Sequence, residues 1–218
     1  VVLNGSNDES LEVARAASPS RLPIEIIQIP FRDKSNAINQ FIYKLRVPAR
    51  MYGNVDGNVV IGSSAFQAMG ERLRSTPHAV AVTGVAANGR TMRKMGVEAL
   101  RTGGILHGQL HALRPEFLDQ MRTRGLRLPV GLYRGDGLLG SMAAHDFTPH
   151  STPWDDSRIV AETRATFTLP SLSLLDRSDV DRLLRRRIRQ MQGQVENKAI
   201  ASLISRSGYE ALPDHVTD

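Results

Sequence analysis

The chain has 218 residues, which suits one α/β domain and is long enough to bury about 70% of the surface that the unfolded chain exposes. It contains no cysteine, which excludes disulfides and thiolate metal sites, and no run approaches the ~20 apolar residues of a membrane-spanning helix. Lys and Arg number 28 against 22 Asp and Glu, so the net charge is +6.

Apolar runs alternate with segments of helical periodicity along the first half of the chain. The apolar runs predict strands near residues 1–3, 24–29, 51–55, 79–83, 105–113 and 159–168. The periodic segments predict helices near residues 11–17, 36–45, 63–73, 115–122, 138–144 and 179–204. This order predicts an α/β fold with a mostly parallel, Rossmann-like sheet, helices on both faces and ligands beyond the carboxyl ends of the strands.

Turn residues separate these elements in the second half. The pattern is looser beyond Gly84, with turn signals at Asn88-Gly89 and Gly103-Gly104. Residues 148–156 are rich in Pro, Thr and Asp and predict a loop. We expect the segment from Glu210 onward to be a fraying tail.

Asp56-Gly57-Asn58 follows the predicted strand at 51–55 and precedes the apolar residues Val59 to Ile61. It therefore offers a carboxylate and an amide oxygen where a strand meets a loop. Hard cations such as Mg²⁺ and Mn²⁺ bind oxygen ligands and keep waters and substrate phosphates in their shell. The alternative is ordinary turn chemistry, for which Asx-Gly is equally suited.

Two other segments carry charge next to a predicted helix. Arg32 and Lys34 stand at the start of the helix near 36–45, and Asp136 lies between two glycines before the helix near 138–144. The two cations suit a phosphate group, although long cations are also common on a solvated surface. Asp136 suits a catalytic base, although Asp is also a favoured helix N-cap.

The order of these blocks resembles glycosyltransferase family 2, the inverting nucleotide-sugar transferases with the GT-A fold. Residues 1–10 are similar to the family's second strand and its Asp-Gly-Ser-Thr-Asp-Gly-Thr loop, and residues 34–39 to its Gly-Lys-x-x-Ala-x-Asn helix. Residues 56–58 stand where the family carries its Asp-x-Asp metal motif. Residues 135–139 are similar to the Glu-Asp-x-x-Leu block, and residues 186–190 faintly to Gln-x-x-Arg-Trp.

The resemblance implies a hexosyltransferase-like enzyme that transfers a sugar from a nucleotide-diphosphate sugar to an acceptor hydroxyl, in surface polysaccharide or glycolipid synthesis. Asp136 would act as the catalytic base. Asp56 and Asn58 would hold Mn²⁺ or Mg²⁺ against the diphosphate. The donor would bind the side chains of Asn4, Asp8, Arg32, Lys34, Asp56, Arg186 and Arg189.

The chain departs from the family pattern at several points within the roughly 195 residues that the resemblance covers. Asn58 replaces the second Asp of the metal motif, and an amide oxygen binds a divalent cation less strongly than a carboxylate does. Asn4 replaces the Asp before Gly-Ser, and the late block lacks its Trp. The family's opening Pro-x-Tyr-Asn-Glu segment does not precede residue 1, so the resemblance implies that this sequence begins inside the family's domain.

His107 and His111 have the spacing of a zinc pair on a helix. The predicted strand over 105–113 argues against zinc, because it places His107, Gln109 and His111 on one face of a sheet. By resemblance this stretch borders the acceptor pocket. We therefore expect His107 and Gln109 to bind the acceptor, with polar residues satisfied inside the fold as the alternative.

Arginines cluster in the predicted helix near 179–204. Arg182, Arg185, Arg186 and Arg189 share one face, while Leu184, Ile188 and Met191 line another. Such a helix suits a diphosphate, a lipid-linked acceptor or peripheral contact with an anionic membrane, and the alternative is a solvated face over a buried apolar stripe. A nucleic-acid-binding module ranks low, because few aromatic residues are available to stack on bases.

The expected organisation is one glycosyltransferase-like domain over residues 1–218. Residues 1–100 would form the nucleotide-sugar-binding half, residues 101–195 the acceptor-binding half and residues 205–218 the tail. We expect a soluble, cytoplasmic protein, since no secretory-type segment opens the chain and nucleotide sugars are supplied in the cytoplasm. An inactive relative that only binds a nucleotide sugar remains the main alternative.

Overall fold

A computed structural model describes residues 1–6, 9–17, 23–170 and 177–217, without the side chains of residues 90–92, 177–180, 182, 183 and 186. The strands are β1 Val2–Asn4, β2 Ile27–Ile29, β3 Tyr52–Val55, β4 Val60–Ile61, β5 Ala81–Ala86, β6 Leu110–Leu113 and β7 Ile159–Thr168. The α-helices are α1 Ser10–Ala16, α2 Lys34–Gln40, α3 Ala65–Ser75, α4 Arg90–Thr102, α5 Pro115–Thr123, α6 Gly135–Ala144 and α7 Arg177–Ser207. A π-helical turn, Phe41–Leu45, continues α2, and short 3₁₀ turns lie at Asp156–Arg158 and Tyr209–Ala211.

The strands form one small sheet and one larger sheet. β1 and β2 pair in parallel as a two-stranded sheet. The larger sheet has the order β3-β6-β5-β7-β4. It is mixed, because only β5 and β7 pair in parallel, whereas β3 with β6, β5 with β6 and β4 with β7 pair antiparallel.

The prediction of a mostly parallel sheet is therefore wrong, although the α/β class is confirmed. Strand–helix alternation suggested right-handed parallel crossovers. The helix α4 does connect β5 to β6, yet β6 returns antiparallel to β5 and inserts between β3 and β5. A helix between two strands thus did not specify their relative direction.

Helices cover both faces of the larger sheet, as predicted. On one face α3 contributes Met69 and Leu73 to a cluster with Val82 and Phe167 of the strands. On the other face lies a larger cluster that includes Phe117 from α5 and further residues from α6, the π-turn and the end of α7. Neighbouring residues of one strand face opposite clusters, which is the two-residue period of a pleated strand.

Helix α4 occupies the stretch that the sequence pattern suggested was loose. Its two turn signals prove to be its ends, since Gly89 (φ 81°) precedes the helix and Gly103 (φ 72°) follows it. Both glycines adopt a left-handed backbone that other residues rarely reach. The turn signals were correct, but the helix between them was missed.

The predicted strand over 105–113 is shorter than expected. Only Leu110–Leu113 pair as β6, and residues 103–107 run as an irregular segment. The segment is tied to the sheet by Gly104 N–H, which donates to the Ile159 carbonyl, and by His107 N–H, which donates to Thr83 Oγ1 at 2.9 Å. The expected alternation of His107, Gln109 and His111 along one strand face is therefore wrong.

The end of the chain packs on the body of the molecule. Tyr209 is 1% exposed, and Leu212 and Val216 pack against the larger cluster. Val130 N–H donates to the Asp214 carbonyl at 2.8 Å, and Val216 N–H donates to the Val130 carbonyl at 2.9 Å. The expectation of a fraying tail from Glu210 is contradicted by this packing.

In contrast to the C-terminal segment, the apolar side of α7 is exposed. Leu184, Ile188 and Met191 are 57%, 65% and 62% exposed, which contradicts the alternative of a buried stripe. Within the described ranges, no helix combines the length and the hydropathy needed to cross a bilayer.

Candidate functional site

The start of α2 is held in place by Asp33. The Asp33 carboxylate caps the helix by accepting a hydrogen bond from Asn36 N–H at 2.7 Å. Asp33 N–H in turn donates to Asn4 Oδ1 at 2.9 Å, which joins the end of β1 to the start of α2. Lys34, as the first residue of α2, is thereby set at a defined position beside β1.

Lys34 links three separated parts of the chain. Its ammonium donates to Asp56 Oδ1 at 2.6 Å and to the Gly108 carbonyl at 3.2 Å. Asp56 N–H donates to the Gln109 carbonyl at 3.1 Å, so the end of β3 and the segment before β6 are also joined through the backbone. The Lys34 and Asp56 side chains are 39% and 26% exposed, which leaves both within reach of a ligand.

Asp136 lies next to this pair in the first turn of α6. A Cβ added to Gly108 would lie 2.7 Å from Asp136 Oδ2 and 3.2 Å from Lys34 Nζ. The Gly108 backbone is thus the meeting point of the lysine and the second carboxylate. Asp56, Lys34 and Asp136 therefore converge on one site, although they are far apart in sequence.

Asp136 does not cap α6. Residue Arg134 occupies the N-cap position, and it makes no side-chain capping hydrogen bond. The helix-cap alternative for Asp136 is therefore wrong, and its carboxylate is directed toward Gly108. The flanking glycines have different surroundings: a Cβ at Gly135 would meet Ser35 Oγ at 2.9 Å, whereas at Gly137 the nearest atom would be 4.0 Å away.

Polar contacts hold α2 against the segment that leads into α6. Gly131 N–H donates to Asp33 Oδ2 at 2.9 Å, and Ser35 Oγ donates to the Leu132 carbonyl at 3.3 Å. Asn39 is 5% exposed, and its amide donates to the Leu128 carbonyl at 2.8 Å and accepts from Leu128 N–H at 2.9 Å. These contacts bring the N-termini of α2 and α6 together, and with them Lys34 and Asp136.

The two histidines lie behind this site. His107 is 3% exposed and His111 is 1% exposed. His111 Nδ1 donates to the His107 carbonyl at 2.8 Å, since a carbonyl can only accept. Burial lowers the pKa of His111 to about 4 and also lowers the pKa of His107, against the opposing effect of the Asp136 carboxylate. Both imidazoles are therefore neutral at pH 7.

His107 and Gln109 differ in their access to a ligand. His107 Nε2 is buried and has no hydrogen-bond partner among the described residues. Gln109 is half-buried, and its backbone carbonyl already bonds Asp56. Of the two residues predicted to bind the acceptor, Gln109 is the more accessible.

The remaining predicted residues lie at different distances from this centre. Asn4 serves the α2 start, Arg32 is exposed beside Gly5, and Asn58 is exposed in the turn after Asp56. Asp8 lies outside the described residues, and so does the side chain of Arg186.

Helix α7 passes the start of α6. A Cβ at Gly193 would lie 2.6 Å from the Tyr133 ring and 3.3 Å from the Arg134 side chain. Tyr133 N–H donates to Glu196 Oε2 at 3.0 Å. Arg189 lies one turn before Gly193 on the same helix and is exposed. An arginine of α7 is thus carried close to the segment that precedes Asp136.

The described residues contain no group of three or more His, Asp or Glu side chains arranged to hold a metal ion. The turn after β3 offers two side chains with oxygen ligands, the Asp56 carboxylate and the Asn58 amide. A cation bound there would have to take most of its ligands from a substrate and water.

Sequence reasoning missed Gly108 and Asn39. Gly108 carries no side-chain chemistry, and its signal was the glycine between His107 and Gln109, which breaks an otherwise regular apolar–polar alternation. Asn39 falls in the recognised helix block, but its hydrogen-bond partner is 89 residues away. No local pattern could have identified that partner.

No protein-family model matches the sequence, and no curated protein matches it. Solved structures do share its fold. A mannosyltransferase from Pyrobaculum calidifontis, in complex with GDP-Man and Mn²⁺, is 19% identical, with a TM-score of 0.66 over 92% of this chain and 54% of that one.

Two further structures match over a smaller part of the chain. A mycobacterial protein is 18% identical, with a TM-score of 0.53 over 80% of this chain and 57% of that one. TarS 1-349 from S. aureus, in complex with UDP-GlcNAc, is 14% identical, with a TM-score of 0.54 over 79% of this chain and 50% of that one. The chain thus spans about half the length of these structures.

Proposed function

From the premise that this chain has a glycosyltransferase fold, we propose that it transfers a sugar from a nucleoside-diphosphate sugar to an acceptor hydroxyl with inversion at the anomeric carbon. The observation that carries this proposal is the convergence of Lys34, Asp56 and Asp136 around the Gly108 backbone. The Asp56 carboxylate is paired with the Lys34 ammonium there, and the Asp136 carboxylate is not used as a helix cap. Inverting transfer requires the same two elements, a charged group for the diphosphate and a free base.

Asp136 is the catalytic base in this proposal. It takes the proton of the acceptor hydroxyl while the hydroxyl oxygen forms a bond to the anomeric carbon. The bond from that carbon to the diphosphate oxygen breaks, and its electron pair leaves with the diphosphate. Because Asp136 is not used as a helix cap, its carboxylate is available for the proton.

Cations near Asp56 receive the departing diphosphate. Lys34 is already directed to this point, and Arg32 lies exposed two residues earlier. Arg189 of α7 adds positive charge on the α6 side. Arg186 is assigned to the donor by the resemblance alone. Asn4 and Asp8 are assigned to the nucleotide side of the pocket by the resemblance alone.

Asp56 and Asn58 would hold a divalent cation that is shared with the substrate. Asp56 Oδ1 accepts from Lys34, while its second oxygen makes no hydrogen bond in the described part of the chain, and Asn58 is exposed. Two protein oxygens with diphosphate oxygens and water match the shell of Mn²⁺ or Mg²⁺. When bound, the cation would add positive charge beside the leaving diphosphate.

In this arrangement the acceptor contacts the Gln109 side chain rather than His107, because Gln109 is half-buried and His107 is buried. His107 supports the segment beside Asp136 through its backbone, because its N–H donates to Thr83 Oγ1 and its carbonyl accepts from His111 Nδ1. We infer that the acceptor belongs to surface polysaccharide or glycolipid synthesis in the cytoplasm, where nucleotide sugars are supplied.

Asp136→Asn tests the assignment of the base. The assay combines the protein and Mn²⁺ with saccharide acceptors and a panel of donors that includes GDP-mannose and UDP-N-acetylglucosamine. We expect the parent protein to release nucleotide, and we expect NMR of the product to show an inverted anomeric configuration. Asp136→Asn should lower the rate about 10²–10⁴-fold, because an amide cannot take the proton. Donor binding, measured by calorimetry, should change little.

Glu98→Gln is the matched control, because it neutralises an exposed carboxylate on α4 that pairs with Arg101. It should leave the rate unchanged. Release that survives intact in Asp136→Asn would remove Asp136 as the base. If a donor binds but no nucleotide is released from any donor, the alternative of a binding-only relative is favoured. That alternative rests on Asn58, which stands where the family has a second Asp, and on the ion pair that Asp56 forms with Lys34.

A further inference from the structure

Four large apolar side chains of α7 are exposed together. Leu184, Ile188, Met191 and Val195 are 57%, 65%, 62% and 70% exposed. Single exposed apolar residues are normal on a protein surface. Four of them along one helix are unusual and indicate a surface that is covered by something else.

The four side chains form one continuous stripe. Their spacing of four, three and four residues keeps them on a single face of a helix with 3.6 residues per turn. The stripe extends over about 16 Å, at 1.5 Å per residue. We call these four residues the α7 stripe.

The α7 stripe lies opposite the face that packs on the rest of the molecule. Gly193 contacts Tyr133 and Arg134, and Ile200 and Ile204 are 9% and 6% exposed in the larger core cluster. At about 100° per residue these three positions lie on the far side of the helix from the stripe. The helix is therefore anchored by one face and presents the other outward.

The charge beside the α7 stripe is mainly positive. Of the five arginines between residues 182 and 195, four share the opposite face, and Arg187 lies beside the stripe. Asp181, one turn before Leu184, is an acidic residue on the stripe's side. Arg187 and Lys198 are exposed and lie on the same side of the helix as the stripe. The partner of this surface must accept apolar side chains and cations together.

This combination selects among possible partners. A second copy of the chain would bring two arginine-rich helices side by side, and like charges oppose that contact. A nucleic acid would satisfy the arginines but not the four apolar side chains. An anionic lipid surface satisfies both, because apolar side chains enter the acyl boundary while cations meet the headgroups.

We propose that α7 lies on an anionic membrane surface, with the α7 stripe inserted below the headgroups and Arg187 and Lys198 at headgroup level. The packed face of the same helix contacts the segment that leads to Asp136. The lipid surface would therefore lie about one helix diameter, 10–12 Å, from that segment. If the proposed function holds, this favours an acceptor carried on a lipid.

Vesicle sedimentation tests the proposal without any donor or acceptor, so its result is independent of the proposed function. The probes are vesicles of phosphatidylcholine alone and vesicles with about 25% phosphatidylserine, at low and high salt. We expect binding to the anionic vesicles that weakens as salt rises. We expect the double variant Ile188→Asp/Met191→Asp to bind at least about tenfold more weakly, because two apolar side chains no longer insert.

Val97→Asp is the matched control, because Val97 is 64% exposed on another helix, α4. It should bind as the parent protein does. The pair Arg187→Gln/Lys198→Gln should weaken binding to anionic vesicles and reduce its salt dependence. Circular dichroism checks folding, and Ile188→Ser/Met191→Ser replaces the double Asp variant if that variant unfolds.

Several outcomes would overturn the proposal. Equal binding of parent and double Asp variant would show that the α7 stripe does not insert. If the parent protein does not bind vesicles but sediments as a dimer, and the double Asp variant sediments as a monomer, the partner is a second copy of the chain. Salt-sensitive retention of RNA without vesicle binding would identify a nucleic acid.

Discussion

His111 shows how burial changes a single residue. Its side chain is fully buried beside the site, and its Nδ1 donates to the His107 carbonyl. Burial is the largest effect and lowers its pKa to about 4; the Lys34 charge acts in the same direction, while the bond to His107 and the carboxylates of Asp136 and Asp56 oppose it. The folded protein therefore holds this imidazole neutral.

The low pKa of His111 predicts a pH-dependent stability. The imidazole takes up a proton near pH 6.5 in the unfolded chain, but only near pH 4 in the folded protein. Above pH 6.5 it is neutral in both states, so the free energy of unfolding is not reduced by its titration. It should fall as the pH drops from 6.5 toward 4, by up to about 1.4 kcal/mol per pH unit and about 3 kcal/mol in all. Urea unfolding at several values between pH 5 and 8 measures this slope.

His111→Gln should flatten the slope between pH 6.5 and 5, because glutamine does not titrate. His150→Gln, at an exposed histidine, should keep the slope of the parent protein. A parent slope that persists in His111→Gln would assign the effect to other groups, with His107 as the first candidate because its pKa is also lowered by burial.

At the scale of elements, the site depends on how α2 is held against the segment before α6. Asn39 makes two hydrogen bonds to the backbone of Leu128, and the side chain is buried. The capping carboxylate of Asp33 also reaches across to Gly131. The position of Lys34 relative to Asp136 is therefore a property of two elements rather than of either residue.

Asn39→Ala should lower the free energy of unfolding by about 2–4 kcal/mol, because it leaves the Leu128 N–H and carbonyl unpaired in a buried region. Urea unfolding at pH 7.5 measures the difference. Gln67→Ala is the matched control, because the Gln67 amide donates to Glu71 on the exposed side of α3 and its removal should change stability by less than about 0.5 kcal/mol. A loss for Asn39→Ala no larger than that of the control would contradict the role of this contact.

At the scale of the whole molecule, the C-terminal segment completes the larger core. Tyr209 is 1% exposed, its hydroxyl forms a 2.8 Å hydrogen bond with Ser141 Oγ of α6, and burial raises its pKa to about 12. The same core includes residues of α5, α6 and the end of α7. Residues 209–216 therefore stabilise the half of the molecule that carries Asp136.

Tyr209→Ala should destabilise the protein by about 3–5 kcal/mol, because it empties a large buried volume. Tyr209→Phe removes only the hydroxyl and should cost about 1 kcal/mol. Thermal unfolding of both variants, and of a chain that ends at Ser207, measures these effects. An unchanged Tm for the shortened chain would restore the view of this segment as a tail.

The sequence identified three charged residues that the fold brings together, but it did not predict the directions of the strands. Lys34, Asp56 and Asp136 were identified from local blocks, because helix starts and strand ends have recognisable residue patterns, and the structure brings them together. The direction of β6 was missed, because the pairing of Leu110–Leu113 with β3 and β5 depends on residues more than 25 positions away. Gly108 was missed as well, since a hydrogen in place of a side chain leaves no chemical signal.

Helix α7 also shows which features a local pattern can predict. Its apolar and basic faces were predicted from the spacing of Leu184, Ile188 and Met191, because helical periodicity is a local property. The pattern did not predict which face packs inward: Gly193 packs against Tyr133, and the apolar stripe on the opposite face is exposed. Burial depends on what the rest of the chain places beside a helix.

The sequence by itself determined the α/β class, most of the helices and strands and the three charged residues that the fold brings together, Lys34, Asp56 and Asp136, because periodicity, turn residues and motif order are encoded over short stretches. The tertiary structure alone decided the mixed sheet, the neutral buried histidines, the packed C-terminus and the meeting of Lys34 and Asp136 at Gly108. Those features arise from contacts between residues up to about a hundred positions apart, such as Ser35 with Leu132. Such contacts form only when the whole chain is folded, because no local pattern specifies a distant partner.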